Sequence, residues 1–124
     1  MTWAGSIVAF VGVSDLDAAE RFYGRTLGLD IDDQRPFSLV ATVGTTSLRI
    51  TAVEKVLAAP YTVLGWNVPD IEAAVDLLAS RGVTFTRYEG FEQDTRGIWT
   101  APSGARIVWF LDPDGNNLSL SQLS

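Results

Sequence analysis

The sequence predicts an α+β fold built from two βαβββ modules packed around a shared centre. Three observations predict it: an internal repeat, short apolar runs alternating with segments of helical period, and turn formers between them. Residues 8–19 read V-A-F-V-G-V-S-D-L-D-A-A, and residues 63–74 read V-L-G-W-N-V-P-D-I-E-A-A. At an offset of 55 positions, Val8 matches Val63, Val13 matches Val68, Asp15 matches Asp70, and Ala18-Ala19 match Ala73-Ala74. Leu16 with Ile71 and Asp17 with Glu72 are conservative pairs, and a one-residue gap then brings Gly28 onto Gly82. Two copies are too few for a solenoid but suffice for two equivalent modules.

Each copy opens with an apolar stretch of strand length, 6–13 and 61–68. A helix follows. Ser14 is the expected cap of the first, with Asp15 and Asp17 in a first turn favoured by the helix dipole. Pro69 suits the first turn of the second, beside Asp70 and Glu72. Leu16, Ala19, Tyr23 and Leu27 recur at helical spacing, as do Ile71, Ala74, Val75 and Leu78; Gly28 and Gly82 are the expected stops. Strands are then expected over 29–33, 37–43 and 46–52 in the first module, and over 83–88, 106–111 and 117–122 in the second. Pro102-Ser103-Gly104 and Asp112-Pro113-Asp114-Gly115 mark turns. Residues 89–101 form the long irregular piece of the second copy. Module one spans about 5–52, module two about 61–122, with 53–60 as the link inside a single domain of 124 residues.

Composition narrows the function. About 47% of residues are apolar and 19% charged, enough for a core. The chain has no cysteine and no histidine, which excludes disulfides, thiolate sites, Ser-His-Asp arrangements and the commonest metal ligand. No phosphate-binding glycine loop occurs. The net charge is −6 and Lys55 is the only lysine, which argues against nucleic acid and against anionic membrane surfaces. No apolar run approaches the ~20 residues of a membrane span. Met1-Thr2-Trp3 lacks the basic start of a signal peptide, so a cytoplasmic protein is expected.

The run V-S-D-L-D-A-A-E-R-F-Y-G-R-T-L-G-L and the closing F-L-D-P-D-G-N-N-L-S-L resemble the vicinal oxygen chelate superfamily, which includes glyoxalase I, bleomycin-resistance proteins and extradiol dioxygenases. The resemblance covers nearly the whole chain. It implies a cupped mixed sheet around a central cavity, with the helices on the outer face. In metal-dependent members four side chains hold a divalent metal. The resemblance maps those positions onto Val8, Arg49, Val63 and Ser119, a set that makes no normal divalent site. No metal or other cofactor is therefore expected, nor the metal-dependent glyoxalase and ring-cleaving dioxygenase activities.

If Val8 and Val63 face the cup, strand alternation adds Phe10, Gly12, Tyr61, Gly65 and Asn67. Ser47, Arg49 and Thr51 join from the first module, and Asn117, Ser119 and Ser121 from the last strand. Ala9, Val11, Val13, Leu64, Trp66 and Val68 should pack under the helices. Such an apolar floor with a few polar groups suits an aromatic or polycyclic ligand. Arg49 is read as an anchor for a carboxylate, phenolate or carbonyl; a salt bridge to Glu54 or Glu89, or plain exposure, is the alternative. Trp99 is placed to stack on a ligand from a loop or else to pack. Trp109 belongs to core or interface, and Trp3 to a dimer contact. The Asp112–Gly115 turn is structural. Asp32-Asp33 and Glu89, Glu92, Asp94 read as solvated loop charge.

The expected ligand contacts are thus Val8, Phe10, Arg49, Tyr61, Val63, Trp99 and Ser119, with no catalytic residue. The leading reading is a homodimeric binder that sequesters a small organic molecule, as in resistance proteins. The alternative is a metal-independent isomerase, lyase or cyclase using Arg49 as electrophile and Tyr61 or a carboxylate for the proton.

Overall fold

The structure, a computed structural model, describes residues 3–123; Met1 and Thr2 of the N-terminal segment read above lie outside the described residues. The chain divides into two compact units, with the boundary between Leu57 and Ala58.

Unit 1 contains β1 (Val8–Val13), α1 (Leu16–Ala19), β2 (Ile31–Gln34), β3 (Ser38–Val43) and β4 (Thr46–Ala52). Its sheet has the order β1-β4-β3-β2, with β1 parallel to β4 and the other pairs antiparallel. Helix α1 starts from Asp15, whose carboxylate accepts the Asp17 and Ala18 N–H groups. The expected cap, Ser14, lies one residue too early to reach these donors. The helix then widens into π-helical turns over Glu20–Thr26, closed by the Leu27 N–H to the Phe22 carbonyl. Ala19 and Tyr23 face inward from it, and Val11, Val13, Leu39, Ala41, Leu48 and Ile50 face them from the sheet. Each buried Val, Leu or Ile side chain among them contributes about 1.5–3 kcal/mol.

Unit 2 repeats the path with β5 (Leu64–Asn67), α2 (Ile71–Ser80), β6 (Trp99–Thr100), β7 (Arg106–Leu111) and β8 (Asn117–Gln122). The order is β5-β8-β7-β6, again with the first strand parallel to the last. Asp70 caps α2 by accepting the Ala73 N–H, and Pro69 stands before the cap rather than inside the first turn. At the other end, the Val83 N–H reaches the Leu78 carbonyl and the Gly82 N–H reaches that of Ala79, a paired closure of the last helical turn. Ile71, Val75 and Leu78 of α2 are buried, as are Val108, Phe110, Leu118 and Leu120 of the sheet. Trp66, expected in this core, is half-buried on the same face.

One expected element does not form. Residues 83–88 make no strand; their backbone meets the sheet at a Phe85–Phe110 bridge and at the Thr86 N–H to the Trp109 carbonyl. The Gln93 side chain takes the bonds a ladder would need, donating to the Thr86 carbonyl and accepting the Tyr88 N–H. The fourth strand position is filled by β6, so Trp99 sits on a strand, not on a loop. Asp32 and Asp33 likewise belong to strand β2.

Candidate functional site

In unit 1 the pleat of β1 separates two environments. Val11 and Val13 are buried, whereas Val8 and Phe10 remain 44% and 63% exposed on the opposite face. The register carries that face across the sheet: Phe10 pairs with Arg49, Arg49 with Val40, and Val40 with Asp32. Arg49 is exposed, and its guanidinium makes no hydrogen bond or ion pair among the described residues. It does not pair with Glu54. Arg35, by contrast, is consumed by structure. It contacts Asp17 and Glu20 at 3.0 Å and Asp33 at 2.6 Å, locking the β2–β3 turn to α1. The Arg35 N–H and guanidinium hold the Asp33 carboxyl below the usual carboxylate range. A shallow depression of about 520 Å³ beside Arg35 is lined by Ser14, Asp15, Leu16, Asp17, Pro36 and Ala52. It offers few unused donors to a ligand.

Unit 2 is different. The outward face of its sheet carries Gly65 on β5, Ser119 on β8 and Trp109 on β7 in one cross-strand row. Ser119 is only 8% exposed, yet its hydroxyl makes no hydrogen bond among the described residues. Gly65 makes room for it: a Cβ there would lie 2.6 Å from Ser119 Oγ and 3.2 Å from its carbonyl oxygen. Beside this row stands a group of four aromatic side chains. Phe91 is stacked on Trp99 at 4.9 Å and on Trp109 at 5.7 Å, and Tyr88 meets Phe91 and Trp109 edge to face. Next to them opens a cleft of about 360 Å³ lined by Pro60, Tyr61, Thr62, Tyr88, Phe91, Trp109 and Asn117. That volume is in the small-molecule range. At its polar end Asn117 donates to the Tyr88 hydroxyl at 2.8 Å and accepts the Thr62 hydroxyl at 3.3 Å.

Of the residues expected from sequence, Tyr61 lines this cleft, and Trp99 and Ser119 lie beside Trp109. Val63 is 42% exposed, just before β5, with its N–H bonded to the Asn117 carbonyl. Val8, Phe10 and Arg49 share the open face of unit 1. Sequence reasoning missed Tyr88 and Phe91 altogether. Their signal was the pair of aromatics around Gly90 in an otherwise irregular segment. Trp109, assigned to core or interface, lines the cleft instead. Among the described residues no group of three or more His, Cys, Asp or Glu side chains stands together as metal ligands.

A family model, Glyoxalase/Bleomycin resistance protein/Dioxygenase superfamily, matches residues 5–120. The chain belongs to this superfamily. No curated protein matches it by sequence. Among solved structures, TnmS3, an antibiotic binding protein from Streptomyces sp. CB03234, is 26% identical, with a TM-score of 0.73 over 100% of this chain and 99% of that one. A superfamily member from Sphaerobacter thermophilus DSM 20745 is also 26% identical, with a TM-score of 0.74 over 98% and 99% of the two chains. A glyoxalase/bleomycin resistance protein from Catenulispora acidiphila DSM 44928 shares the fold at 23% identity and a TM-score of 0.74, over 98% and 100%. At the positions that the resemblance maps onto the metal ligands of other members, Val8 and Val63 offer only hydrocarbon, Arg49 a cation and Ser119 a neutral hydroxyl.

Proposed function

We propose that this protein binds a planar organic molecule without metal and sequesters it rather than transforming it. The observation that carries the reading is the cleft of unit 2, where Tyr61, Tyr88 and Trp109 supply aromatic walls and Asn117 a polar end. Such lining matches how drug-sized ligands are held: mostly apolar contact with few convergent polar groups. The likeness to an antibiotic binding protein supports the same class of ligand. In this reading Trp99 and Trp109 stack on the ligand, Tyr61 and Val63 flank it, and the free hydroxyl of Ser119 takes one of its polar atoms. On its own face, unit 1 offers Val8 and Phe10 as apolar ground. There the unpaired Arg49 is an anchor for a carboxylate, phenolate or carbonyl oxygen. The protein would work in the cytoplasm as a homodimer.

Native mass spectrometry of the protein as purified tests this directly. The expected result is a metal-free dimer carrying an organic adduct that disappears in a Trp109→Ala variant. A stoichiometric divalent metal, or an adduct untouched by Trp109→Ala, would overturn the assignment.

A further inference from the structure

The turn at Tyr88–Phe91 holds its place in an unusual way. Its base is firmly tied. The Gln93 side chain accepts the Tyr88 N–H at 2.7 Å and donates to the Thr86 and Gly97 carbonyls at 2.9 and 2.8 Å. Arg87 donates to the Thr95 carbonyl, and the Asp94 carboxylate accepts the Ile98 N–H. The tip is not tied. Residues 89–92 are all exposed, and none of their side chains makes a hydrogen bond among the described residues. One backbone bond closes the turn, Phe91 N–H to the Tyr88 carbonyl at 3.2 Å, across Gly90 at φ 90°. What holds the tip down is the Phe91 ring. It lies nearly parallel to both indoles, at 23° to Trp99 and 18° to Trp109, while remaining 45% exposed.

We infer that Phe91 is an internal stand-in for the ligand: its phenyl ring occupies the indole faces that a planar aromatic ring takes when bound, and it swings out on the 89–92 tip as that ring enters. The inference rests on the proposed binding function and deepens it. It identifies the ligand's recognised part as a flat aromatic ring, because only a flat ring recovers the stacking on the two indoles that Phe91 gives up. It also makes Phe91 a selectivity residue. A saturated ring of similar volume fills the space but does not replace the stacking, so it does not displace the phenyl. The segment suits this motion, because few buried contacts and no side-chain hydrogen bonds oppose it, whereas the Gln93 clamp preserves the rest of the loop. Binding in the unmodified protein is weakened by the fraction of time the platform is covered.

The test titrates 2-naphthol, with cyclohexanol as the saturated control, into 15N-labelled protein and follows the indole N–H signals of Trp99 and Trp109. Phe91→Ala is expected to bind 2-naphthol at least about threefold to tenfold tighter than the unmodified protein, the gain set by the removed stacking on the two indoles. Phe91→Trp is expected to bind it more weakly, and cyclohexanol should shift neither indole in the unmodified protein. Phe91 is exposed, so these variants keep the fold, and a thermal melt checks it. If 2-naphthol shifts both indoles but Phe91→Ala binds it equally or more weakly, Phe91 is part of the walls. The stand-in role is then overturned while the binding function stands. If neither indole responds in any variant, both readings fail.

Discussion

Gly65 and Ser119 act as a pair. The glycine leaves the volume that the Ser119 hydroxyl occupies, 2.6 Å from where a Cβ would stand. Gly65→Ala should therefore destabilise the protein by about 1–3 kcal/mol through overpacking. Ser119→Ala removes the nearer clash and leaves only the 3.2 Å approach to the backbone oxygen. Denaturant unfolding of the double variant should show a cost well below the sum of the single ones, a coupling expected of touching sites. Additive costs would mean that the backbone approach, not the hydroxyl, makes the glycine necessary. Arg49 presents the opposite case, an exposed cation with no structural partner among the described residues. Its replacement by alanine should change stability by no more than about 0.5 kcal/mol. Any larger effect on ligand binding would then be functional.

At the scale of elements, the irregular 83–98 segment is held to helix α2 by arginines. Arg96 reaches Asp76 at 2.9 Å and Glu72 at 3.0 Å, and Arg106 reaches the same Glu72 at 3.0 Å. The Arg96 guanidinium hydrogen-bonds Asp76 and holds its carboxyl below the ordinary value of 3.8. A carboxyl depressed in the folded state stabilises the fold fully above its unfolded value, and that contribution is lost as pH falls through the folded one. Thermal melts between pH 7 and pH 3 should thus show stability falling in the acid limb, and Asp76→Asn should flatten part of that fall. An Asp76→Asn variant with an unchanged acid limb would show that the pair adds nothing beyond position, as exposed pairs often do. Gln93 has a larger structural role here than any charge. Its amide replaces the ladder that 83–88 lacks, and it fixes the base of the turn that carries Phe91.

For the molecule as a whole, the acidic and histidine-free composition sets the pH response. With no histidine or cysteine, no side-chain type present has an ordinary pKa between about 5 and 9. Affinity for a neutral planar ligand such as 2-naphthol should accordingly stay within about twofold from pH 6 to pH 8 at fixed salt. A steep change in that window would place an ionisable group in the binding step and favour a catalytic reading over sequestration. Part of the net charge of −6 comes from the cluster of Asp17, Glu20 and Asp33 around Arg35.

The repeat, the strand alternation and the turn residues were enough to read two βαβββ paths, because a pleat and a helical period are local properties of spacing. Val11 and Val13 inside, with Val8 and Phe10 outside, followed from parity alone. The first cap moved by a residue, from Ser14 to Asp15, and Pro69, expected inside the first turn of the second helix, stands before its Asp70 cap, because which oxygen reaches which N–H is decided by backbone angles. The loss of the 83–88 strand, the strand placement of Trp99 and the stacking of Phe91 on two indoles needed the tertiary structure. Each depends on groups such as Gln93, Phe110 and Trp109 that come together only when segments distant in the chain are folded against the same sheet. No local spacing encodes those meetings.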